Sequence, residues 1–557
     1  MKKHKLIAAA LISLLTFGSA QTALAKVFRH DINDINSGEN NFVITGSYDT
    51  HIFTNEENVT LNYSIIVNDD VITKIVLKGV NIKTTDKNGI SIGSGADVVL
   101  ELVGENSITV NSDDYYYEAG INVANGTLTI KGGENDSLNV AFENDKNINE
   151  AAAIGSNERK DFKGTINIEG GKIKATSSIG AAIGSGVAGD MSGSITISGG
   201  EVNASSDYYG AGIGSGLDGN MSGTITISGG EVTASSEGNG AGIGSGAGFV
   251  SGSAPEMSGT ITISGGKVTA YSDNSGAGIG SGMDGNMSGE IKISGSNVNA
   301  SSGSEGAGIG SGKNGNIAEN GSITIGGNAT VTANSEAGLG IGSGDSGNMN
   351  GDITITDNAD VDITLGNTSN KTGIGAGNKF DGKIDILEHA NVELKYKDGV
   401  DSDGTPAIGS SNNESKGEIT LSTDATINEI PASEIDTLKE QGILKNCGKI
   451  EIVDPTPEKP EEPEVKRDSR STYSLKQLYI VQRINKADDG DVVTVSEEQL
   501  SKGKLPAYVL EALAKKENVT LAILCEEFDI LIHSEDAVAD AGDTRLYTIN
   551  ELVKMYE

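Results

Sequence analysis

The chain of 557 residues carries a formal net charge of −37 at pH 7, and it combines 77 glycines with no tryptophan. So acidic a surface would repel the phosphate backbone of DNA or RNA, which argues against a nucleic-acid partner and makes cations the more natural counterparts. Because the only two cysteines are Cys447 and Cys525, a disulfide framework is excluded as the main stabiliser.

The N-terminal segment has the pattern of a secretory signal peptide. Lysines within residues 2–5 precede an apolar run over 6–17, and a small-residue cleavage pattern follows at 23–25. We therefore expect residues 1–25 to be removed and the mature chain to be secreted or held at a bacterial cell surface. No later stretch reaches about 18 consecutive apolar residues, so no transmembrane segment is predicted for the mature chain.

A long central region repeats one glycine-rich segment with a period of about 30 residues. The stretch GAGIGSGLDGNMSGTITISGGEVTASS at 210–236 returns almost unchanged one period later. The isoleucine of each I-G-S or I-G-A triplet marks one copy, at Ile154, Ile183, Ile213, Ile243, Ile279, Ile309, Ile341, Ile374 and Ile408, and Ile121 and then Ile90 or Ile92 continue the series upstream. Regular copies therefore span about residues 88–412.

Within each copy, three short stretches alternate apolar and polar residues. In one copy they lie at 211–213, 225–227 and 232–234, and glycine-rich turn signals separate them. Period-two alternation predicts strands with one inward face, and three stacked strands per coil would bury Ile, Val and Ala on a common axis. The predicted fold class is all-β, a right-handed parallel β-helix with about 30 residues per coil.

Stacking would place equivalent residues of neighbouring coils about 4.8 Å apart, so they are predicted to form ladders. An internal ladder is predicted from Met191, Met221, Met257, Met287 and Met349, with Ile317, Phe162 and Phe380 in the same position. An external ladder is predicted from Thr196, Thr226, Thr262, Thr324 and Thr354, with Lys292 as an interruption.

The solenoid is predicted to occupy residues 26–453 and to need a cap over its open strand edges. Within a C-terminal cap over about 425–453, residues 431–442 are typical of a short helix with Ser433 as N-cap and Gly442 as its stop. A linker rich in Pro and Glu is predicted over 454–470. The mixed helical and strand patterns of residues 471–557 predict a small α+β domain.

Catalysis is the first function to weigh, because parallel β-helices include pectin-degrading enzymes. Such hydrolases need two or three carboxylates at fixed separations, and the lyases pair calcium-binding carboxylates with an Arg or Lys base. Between residues 41 and 453 the only arginine is Arg159, and the ordered hydrolase pattern is missing. The sequence favours a non-catalytic protein, while a polysaccharide lyase with a lysine base stays open.

Oxygen-bearing side chains two residues apart recur at one corner of the repeat. The best-placed pairs are Asp218 with Asn220 and Asp284 with Asn286. Repeated oxygen donors suit a hard cation, so these four residues are candidate ligands for Ca²⁺. The alternative, which the sequence favours, is that Asn and Asp simply close turns and bond along a ladder.

Tyrosine pairs recur at one position of the repeat. Tyr116 and Tyr117 precede their marker isoleucine at the same offsets at which Tyr208 and Tyr209 precede theirs. Stacking would put both pairs on one flank, three coils or about 14 Å apart. Tyrosine rings can stack on sugars while carboxylates accept hydroxyl hydrogen bonds, so the predicted ligand-binding residues are these four tyrosines with Asp113, Asp114 and Asp207. The alternative is that these are ordinary loop tyrosines covering their own coil.

The repeats resemble those of bacterial secreted and cell-surface proteins described as carbohydrate-binding domain-containing. The resemblance is carried by GTLTIKGG at 126–133, AAIGS at 152–156 and the serial GAGIGSG and SGTITISGGEVTASS segments, and it covers about residues 40–425. It implies a β-helix that binds plant-type, often acidic polysaccharide, with calcium in some members. No calcium-site residue of the family can be matched to a position of this sequence.

The leading hypothesis is an exported monomer that binds a polysaccharide or cell-surface glycan, pectin-like and calcium-assisted if the glycan is acidic. A structural or adhesive surface spacer, whose coils set a length, is the hypothesis from a second class. A polysaccharide lyase is the third.

Overall fold

The structure of this protein is a computed structural model. It describes residues 26–31, 41–55, 63–111, 117–143, 149–249, 254–366, 372–397 and 406–455, and in the remainder 480, 484, 492–496, 504–516, 518–524, 529–534, 536–537, 546–548 and 552. The chain divides into two compact units, Met1–Thr456 and Pro457–Glu557. The predicted signal peptide and most of the predicted linker lie outside the described residues.

The first unit is a right-handed parallel β-helix, which confirms the predicted fold class. Three long sheets run along it, and over residues 64–427 each coil contributes one strand to each sheet. Among the strands that the structure describes in this unit, the one antiparallel pair joins Thr426–Ile427 to Ile430–Pro431 at the C-terminal end.

Sheet A contains 15 strands, namely Val27–Asp31, Thr50–Thr54, Ile72–Lys78, Asp97–Val103, Thr127–Lys131, Thr165–Ile168, Ser194–Ile197, Thr224–Ile227, Thr260–Ile263, Glu290–Ser294, Ser322–Gly326, Asp352–Ile355, Lys383–Ile386, Glu418–Ser422 and Lys449–Val453. Sheet B contains 14 strands, namely Asn41–Ile44, Ser64–Val67, Ile90–Ile92, Ile121–Asn122, Ile154–Gly155, Ile183–Gly184, Ile213–Gly214, Ile243–Gly244, Ile279–Gly280, Ile309–Gly310, Ile341–Gly342, Thr372–Ala376, Ala407–Ser410 and Leu444–Lys445.

Sheet C contains 13 strands, namely Asn81–Thr85, Glu105–Asn111, Ser137–Phe142, Lys172–Ser177, Glu201–Ser206, Glu231–Ser236, Lys267–Ser272, Asn297–Ser302, Thr330–Ser335, Asp360–Leu365, Asn391–Tyr396, Thr426–Ile427 and Ile430–Pro431. A further short parallel pair joins Glu256–Met257 to Asn286–Met287 at the corner between sheets B and A.

The marker isoleucines pair in register from coil to coil, as predicted. They form one continuous ladder in sheet B from Ile90 to Ile408, and every member is buried. Upstream, Ile90 rather than Ile92 continues the series, and it pairs with Ile65. Equal positions in the repeat therefore do lie on the same side of the molecule.

Both predicted side-chain ladders are confirmed. The internal one runs from Phe162 through the methionines to Phe380, and all of its members are fully buried. The external one runs along sheet A, where Lys292 pairs with Thr262 on one side and Thr324 on the other.

In six copies the glycine-rich segment is a tight turn that buries its marker isoleucine, namely those of Ile154, Ile183, Ile213, Ile243, Ile279 and Ile309. The Ala211 amide donates to the Ser215 carbonyl oxygen at 2.9 Å, so the chain folds back around the buried Ile213. Gly214 has φ 141°, and a Cβ at this residue would lie 1.8 Å from the Gly244 carbonyl oxygen of the next coil. Only glycine fits this position, which explains why the I-G pair recurs.

Because the chain folds back at each marker isoleucine, the residues four before it and four after it meet on the outside of the coil. We call this line the outer seam; its first side holds Tyr117, Glu150, Ile179, Tyr209, Asn239, Ser275 and Glu305, and its second side Glu158, Val187, Leu217, Ala247, Met283, Lys313 and Asp345. Each second-side amide donates to a first-side carbonyl oxygen one coil back, at 2.8–3.1 Å. Across the seam within one coil, the Lys313 ammonium lies 2.6 Å from the Glu305 carboxylate.

A short helix closes the C-terminal end of the solenoid. The helix Ile435–Glu440 places Leu438 in the buried core. The prediction of Ser433 as N-cap is wrong: Glu434 holds that position without a side-chain cap bond, because its amide closes a turn onto the Pro431 carbonyl oxygen and delays the helix start. Gly442 follows the helix as predicted, with φ 72°.

The N-terminal end of the solenoid contains stacked aromatic and histidine rings. His30 Nε2 lies 3.1 Å from His51 Nδ1, and the Phe53 ring centroid is 4.9 Å from that of His30. Burial, and then the charge of His51, lower the pKa of His30 to about 4. Burial also lowers the pKa of His51. Both rings are therefore held in the neutral form.

The second unit has a core of its own. Its strands Val492–Ser496, Thr520–Leu524 and Asp529–His533 form one sheet, Lys504–Pro506 pairs with Leu546–Thr548, and the helix Ala507–Ala514 contributes buried leucines. Cys525 lies outside the described residues. In the part of the chain that the structure describes, no helix is long and apolar enough to cross a bilayer.

Candidate functional site

Three aromatic side chains are in contact at the outer seam. Tyr208 and Tyr209 follow the sheet C strand Glu201–Ser206, and Phe249 follows the inward turn of the next coil. The ring centroids of Tyr208 and Tyr209 are 6.3 Å apart, and those of Tyr209 and Phe249 are 5.5 Å apart. Tyr208 is 52% exposed and Phe249 is 68% exposed. We call these three residues the aromatic patch, since contiguous exposed rings mark a contact surface.

Backbone hydrogen bonds hold the patch together. The Ala247 amide donates to the Tyr209 carbonyl oxygen at 2.8 Å, and the Phe249 amide donates to Asp218 Oδ1 at 2.8 Å. The sequence interpretation missed Phe249. A sign of it was present in the repeat length. The interval between the markers Ile243 and Ile279 is longer than the neighbouring intervals, and the extra residues follow Phe249.

Asp207 lies directly beside the patch, as predicted. Its amide donates to the Ser177 carbonyl oxygen at 3.0 Å, and the Ser178 hydroxyl donates to its Oδ2 at 3.4 Å. Burial raises the pKa of the Asp207 carboxyl, and the bond from Ser178 opposes that shift. Burial therefore disfavours the charged form of this carboxyl group.

Tyr117 lies on the first side of the outer seam, the same side as Tyr209. Its carbonyl oxygen accepts the Glu158 amide at 3.0 Å, and its side chain is 48% exposed. The coil of Tyr209 lies three coils further along, which gives a distance of about 14 Å along the solenoid. The other predicted ligand-binding residues, Asp113, Asp114 and Tyr116, lie outside the described residues.

The two aspartates predicted as calcium ligands close turns. Asp218 and Asp284 have φ of 57° and 60° at the corner that follows the inward turn. Asp218 Oδ1 accepts the Phe249 amide, and Asp284 Oδ1 accepts Asn314 Nδ2 at 2.9 Å. One oxygen of each carboxylate is therefore already bonded to the next coil.

The two asparagines predicted as calcium ligands belong to a hydrogen-bonded ladder. Asn220 Oδ1 accepts the Glu256 amide at 2.9 Å, and Asn286 Oδ1 accepts both the amide and Nδ2 of Asn316 at 3.0 Å. Calcium takes about 6–8 oxygen ligands. Among the described residues there is no group of three or more His, Cys, Asp or Glu that could hold a metal ion. The two aspartates thus take part in turn closure and the two asparagines in a ladder between coils.

Two glutamates that sequence reasoning did not single out face each other across the outer seam. Arg159 Nε lies 2.9 Å from Glu158 Oε1, and the Glu158 side chain is only 7% exposed. Burial, and then the hydrogen bond and charge of Glu158, raise the pKa of Glu150 to about 7, while Arg159 opposes the shift. The pair forms because the chain folds back at Ile154, which brings the residues four before and four after this marker together.

The comparisons with known proteins bear on the repeat. A family model described as a beta helix repeat matches residues 166–187, 195–217, 225–247, 261–283 and 291–313. Each matched segment begins at a buried isoleucine of sheet A and ends on the second side of the outer seam. The matched segments cover about a fifth of the chain and are similar to that repeat, while the parallel β-helix fold itself is seen in the three long sheets. No curated protein and no solved structure matches the chain.

Proposed function

We propose that this protein is an exported, non-catalytic protein that binds a polysaccharide along the outer seam. The observation that carries the proposal is the aromatic patch, in which three rings are in contact and both Tyr208 and Phe249 are more than half exposed. Tyr117 extends the same line toward the N-terminal coils.

The chemistry of the patch suits a sugar chain. Aromatic rings cover the apolar faces of sugars, and tyrosine adds a hydroxyl that donates and accepts hydrogen bonds. Only two χ angles need to be fixed per ring, so binding costs little side-chain entropy. Asp207 beside the patch supplies a carboxyl acceptor for sugar hydroxyls. The seam repeats about every 4.8 Å from coil to coil, which favours a linear polymer over a compact ligand.

A non-catalytic role is supported by the ion pair and the hydrogen bonds that charged residues already form within the solenoid. Arg159, the only arginine between residues 41 and 453, is paired with Glu158. The described carboxylates at the corner after the inward turn accept hydrogen bonds from the next coil. A polysaccharide lyase would release unsaturated products that absorb in the ultraviolet, and we expect none.

A second candidate function, a surface spacer or adhesive stalk, is favoured by the length of the stack. Sheet A joins 15 strands in one continuous order. At about 4.8 Å per coil, the stack extends over roughly 70 Å. A spacer needs this length but no ligand on the seam, so a binding measurement separates the two functions.

The experiment is a pull-down of the secreted chain on insoluble cellulose, pectin and bacterial cell-wall glycan, with and without EDTA. We expect retention on at least one of these materials and the same retention with EDTA. Retention on none of them would favour the spacer. Loss of retention with EDTA would support the calcium-assisted form of binding and would contradict our interpretation of the corner residues.

A further inference from the structure

A cavity of about 410 Å³ lies at the corner between sheets B and A, apart from the aromatic patch. It arises where two successive coils differ in corner length. In the coil marked by Ile121 the sheet A strand already begins at Thr127, whereas in the coil marked by Ile154 it begins at Thr165. The longer corner forms a ledge over the shorter one. The volume lies within the range of about 300–1,000 Å³ that is usual for small-ligand sites.

The charge of this cavity is opposite to that of the chain. Its lining includes three cationic side chains, those of Arg159, Lys160 and Lys163, and one acidic side chain, that of Asp161. The whole chain carries a net charge of −37. A concave cluster of like charges focuses the local field and attracts counter-ions. The cavity is therefore suited to an anion, although the protein as a whole is not.

Part of this positive charge is neutralised, and the remainder is available to a ligand. Arg159 Nε lies 2.9 Å from Glu158 Oε1, and Lys163 Nζ lies 2.9 Å from Asp161 Oδ2. Among the residues that the structure describes, Lys160 forms no ion pair. The amide side chains of Asn122 and Asn125 also line the cavity and can donate hydrogen bonds to an oxyanion.

We propose that this cavity is a binding site for a tetrahedral oxyanion, phosphate or sulfate, carried as an ester on the polymer that lies along the outer seam. One nitrogen of the Arg159 guanidinium, Nε, is already paired with Glu158, so this side of the planar group is not open to a bidentate carboxylate. Lys160 and Lys163 act as point charges with no planar requirement, which suits a tetrahedral anion.

The cavity is close enough to the seam to act on the same ligand. The amide of Glu158, the residue before Arg159, donates to the Tyr117 carbonyl oxygen at 3.0 Å. A polymer that contacts Tyr117 would therefore pass beside the ledge. In naming a charged group on the polymer, this inference rests on the proposed function, but anion binding itself can be measured without any polymer.

The test is a calorimetric titration of the full secreted chain with sodium phosphate and, separately, with sodium sulfate, at low and constant ionic strength. We expect one site for at least one ion, and the preferred ion names the ester. The Lys160→Ala/Lys163→Ala variant should bind at least about tenfold more weakly, as expected from the loss of charge-assisted hydrogen bonds. The control is Lys174→Ala, which changes an exposed lysine of the same coil on the outer face of sheet C. Circular dichroism of each variant verifies the fold.

The proposal is overturned if neither ion binds the unaltered chain, or if the double variant binds as tightly as the control. The pull-down on neutral glycans is an independent result. Retention there without ion binding would leave the proposed function standing and remove the cavity site. Ion binding without retention on any glycan would support the cavity site and remove the proposed function.

Discussion

The ring centroids of Tyr209 and Phe249 lie 5.5 Å apart, although the two residues belong to successive coils. The contact exists because the Ala247 amide is bonded to the Tyr209 carbonyl oxygen across the outer seam. A pair of tyrosines thereby becomes a three-ring surface. This relationship is the physical basis of the proposed glycan contact.

The aromatic patch can be removed without touching the core. We expect the Tyr208→Ala/Tyr209→Ala/Phe249→Ala variant to lose at least about tenfold in affinity for a retained polysaccharide, because stacked rings supply about 0.5–1.5 kcal/mol each beyond buried area. The measurement is depletion of the soluble protein by a series of glycan concentrations. The control is Tyr271→Ala, on the outer face of the sheet C strand Lys267–Ser272. Equal binding by the triple variant and the control would remove the patch from the account.

The tight turn at Gly214 leads to a prediction about the stability of glycine variants. Gly214→Ala should destabilise the solenoid strongly, because the new Cβ would lie 1.8 Å from the Gly244 carbonyl oxygen. The matched control is Gly104→Ala, which also has positive φ, 69°, but no atom within 4 Å of the new Cβ. We expect the control to cost about 1 kcal/mol, from strain alone. Urea unfolding followed by circular dichroism measures both. If the two variants lost similar amounts of unfolding free energy, close contact with the next coil would not be the reason that residue 214 is glycine.

The stacking could be predicted from the sequence because ladders repeat their own residue types. Met191 and Met221 are one period apart in the sequence and are paired in the fold. The helix start near Ser433 could not be predicted, because a turn onto the Pro431 carbonyl oxygen decides it.

The site was predicted in part. The offset of Tyr117 and Tyr209 from their markers gave the shared side of the seam. The positions of Phe249 and of the cationic residues that line the cavity depend on how far each corner projects. Corner length changes from coil to coil, and a periodic sequence pattern does not show which corners depart from the regular length.

The glutamate pair at the seam predicts a pH dependence of stability. The folded state raises the pKa of Glu150 from 4.5 to about 7. Its contribution to stability is therefore fully present below pH 4.5 and is lost as the pH rises through 7. We expect Glu150→Gln to match the unaltered protein near pH 4.5 and to be more stable near pH 8.5. Urea midpoints at both pH values test this, with Glu237→Gln, at an exposed residue that follows the sheet C strand Glu231–Ser236, as control. A variant that gains no stability at the higher pH would contradict the shift.

The histidines at the N-terminal end predict a dependence of the opposite sign. The pKa of His30 falls to about 4 from 6.5, and that of His51 is also lowered, so both favour the folded state above pH 6.5. Their contribution is lost as the pH falls toward 4. His51 pairs in register with Ile75, and no described group is hydrogen-bonded to its Nε2.

We expect His51→Ile to reduce the loss of stability between pH 7 and pH 4.5, because an apolar side chain replaces a ring that resists protonation in the core. Thermal unfolding at the two pH values measures the difference. The control is His389→Asn, since the His389 side chain is 57% exposed and Asn tolerates its φ of 58°. If the His51 variant lost as much stability between pH 7 and pH 4.5 as the control, the ring cluster would not be the cause of the acid sensitivity.

The most direct test of polysaccharide binding at the outer seam is a glycan array probed with the unaltered protein and with the Tyr208→Ala/Tyr209→Ala/Phe249→Ala variant in parallel. The account predicts signal on a set of linear polysaccharides and loss of that signal in the variant. An array without any signal, or one on which both proteins give the same pattern, would contradict it.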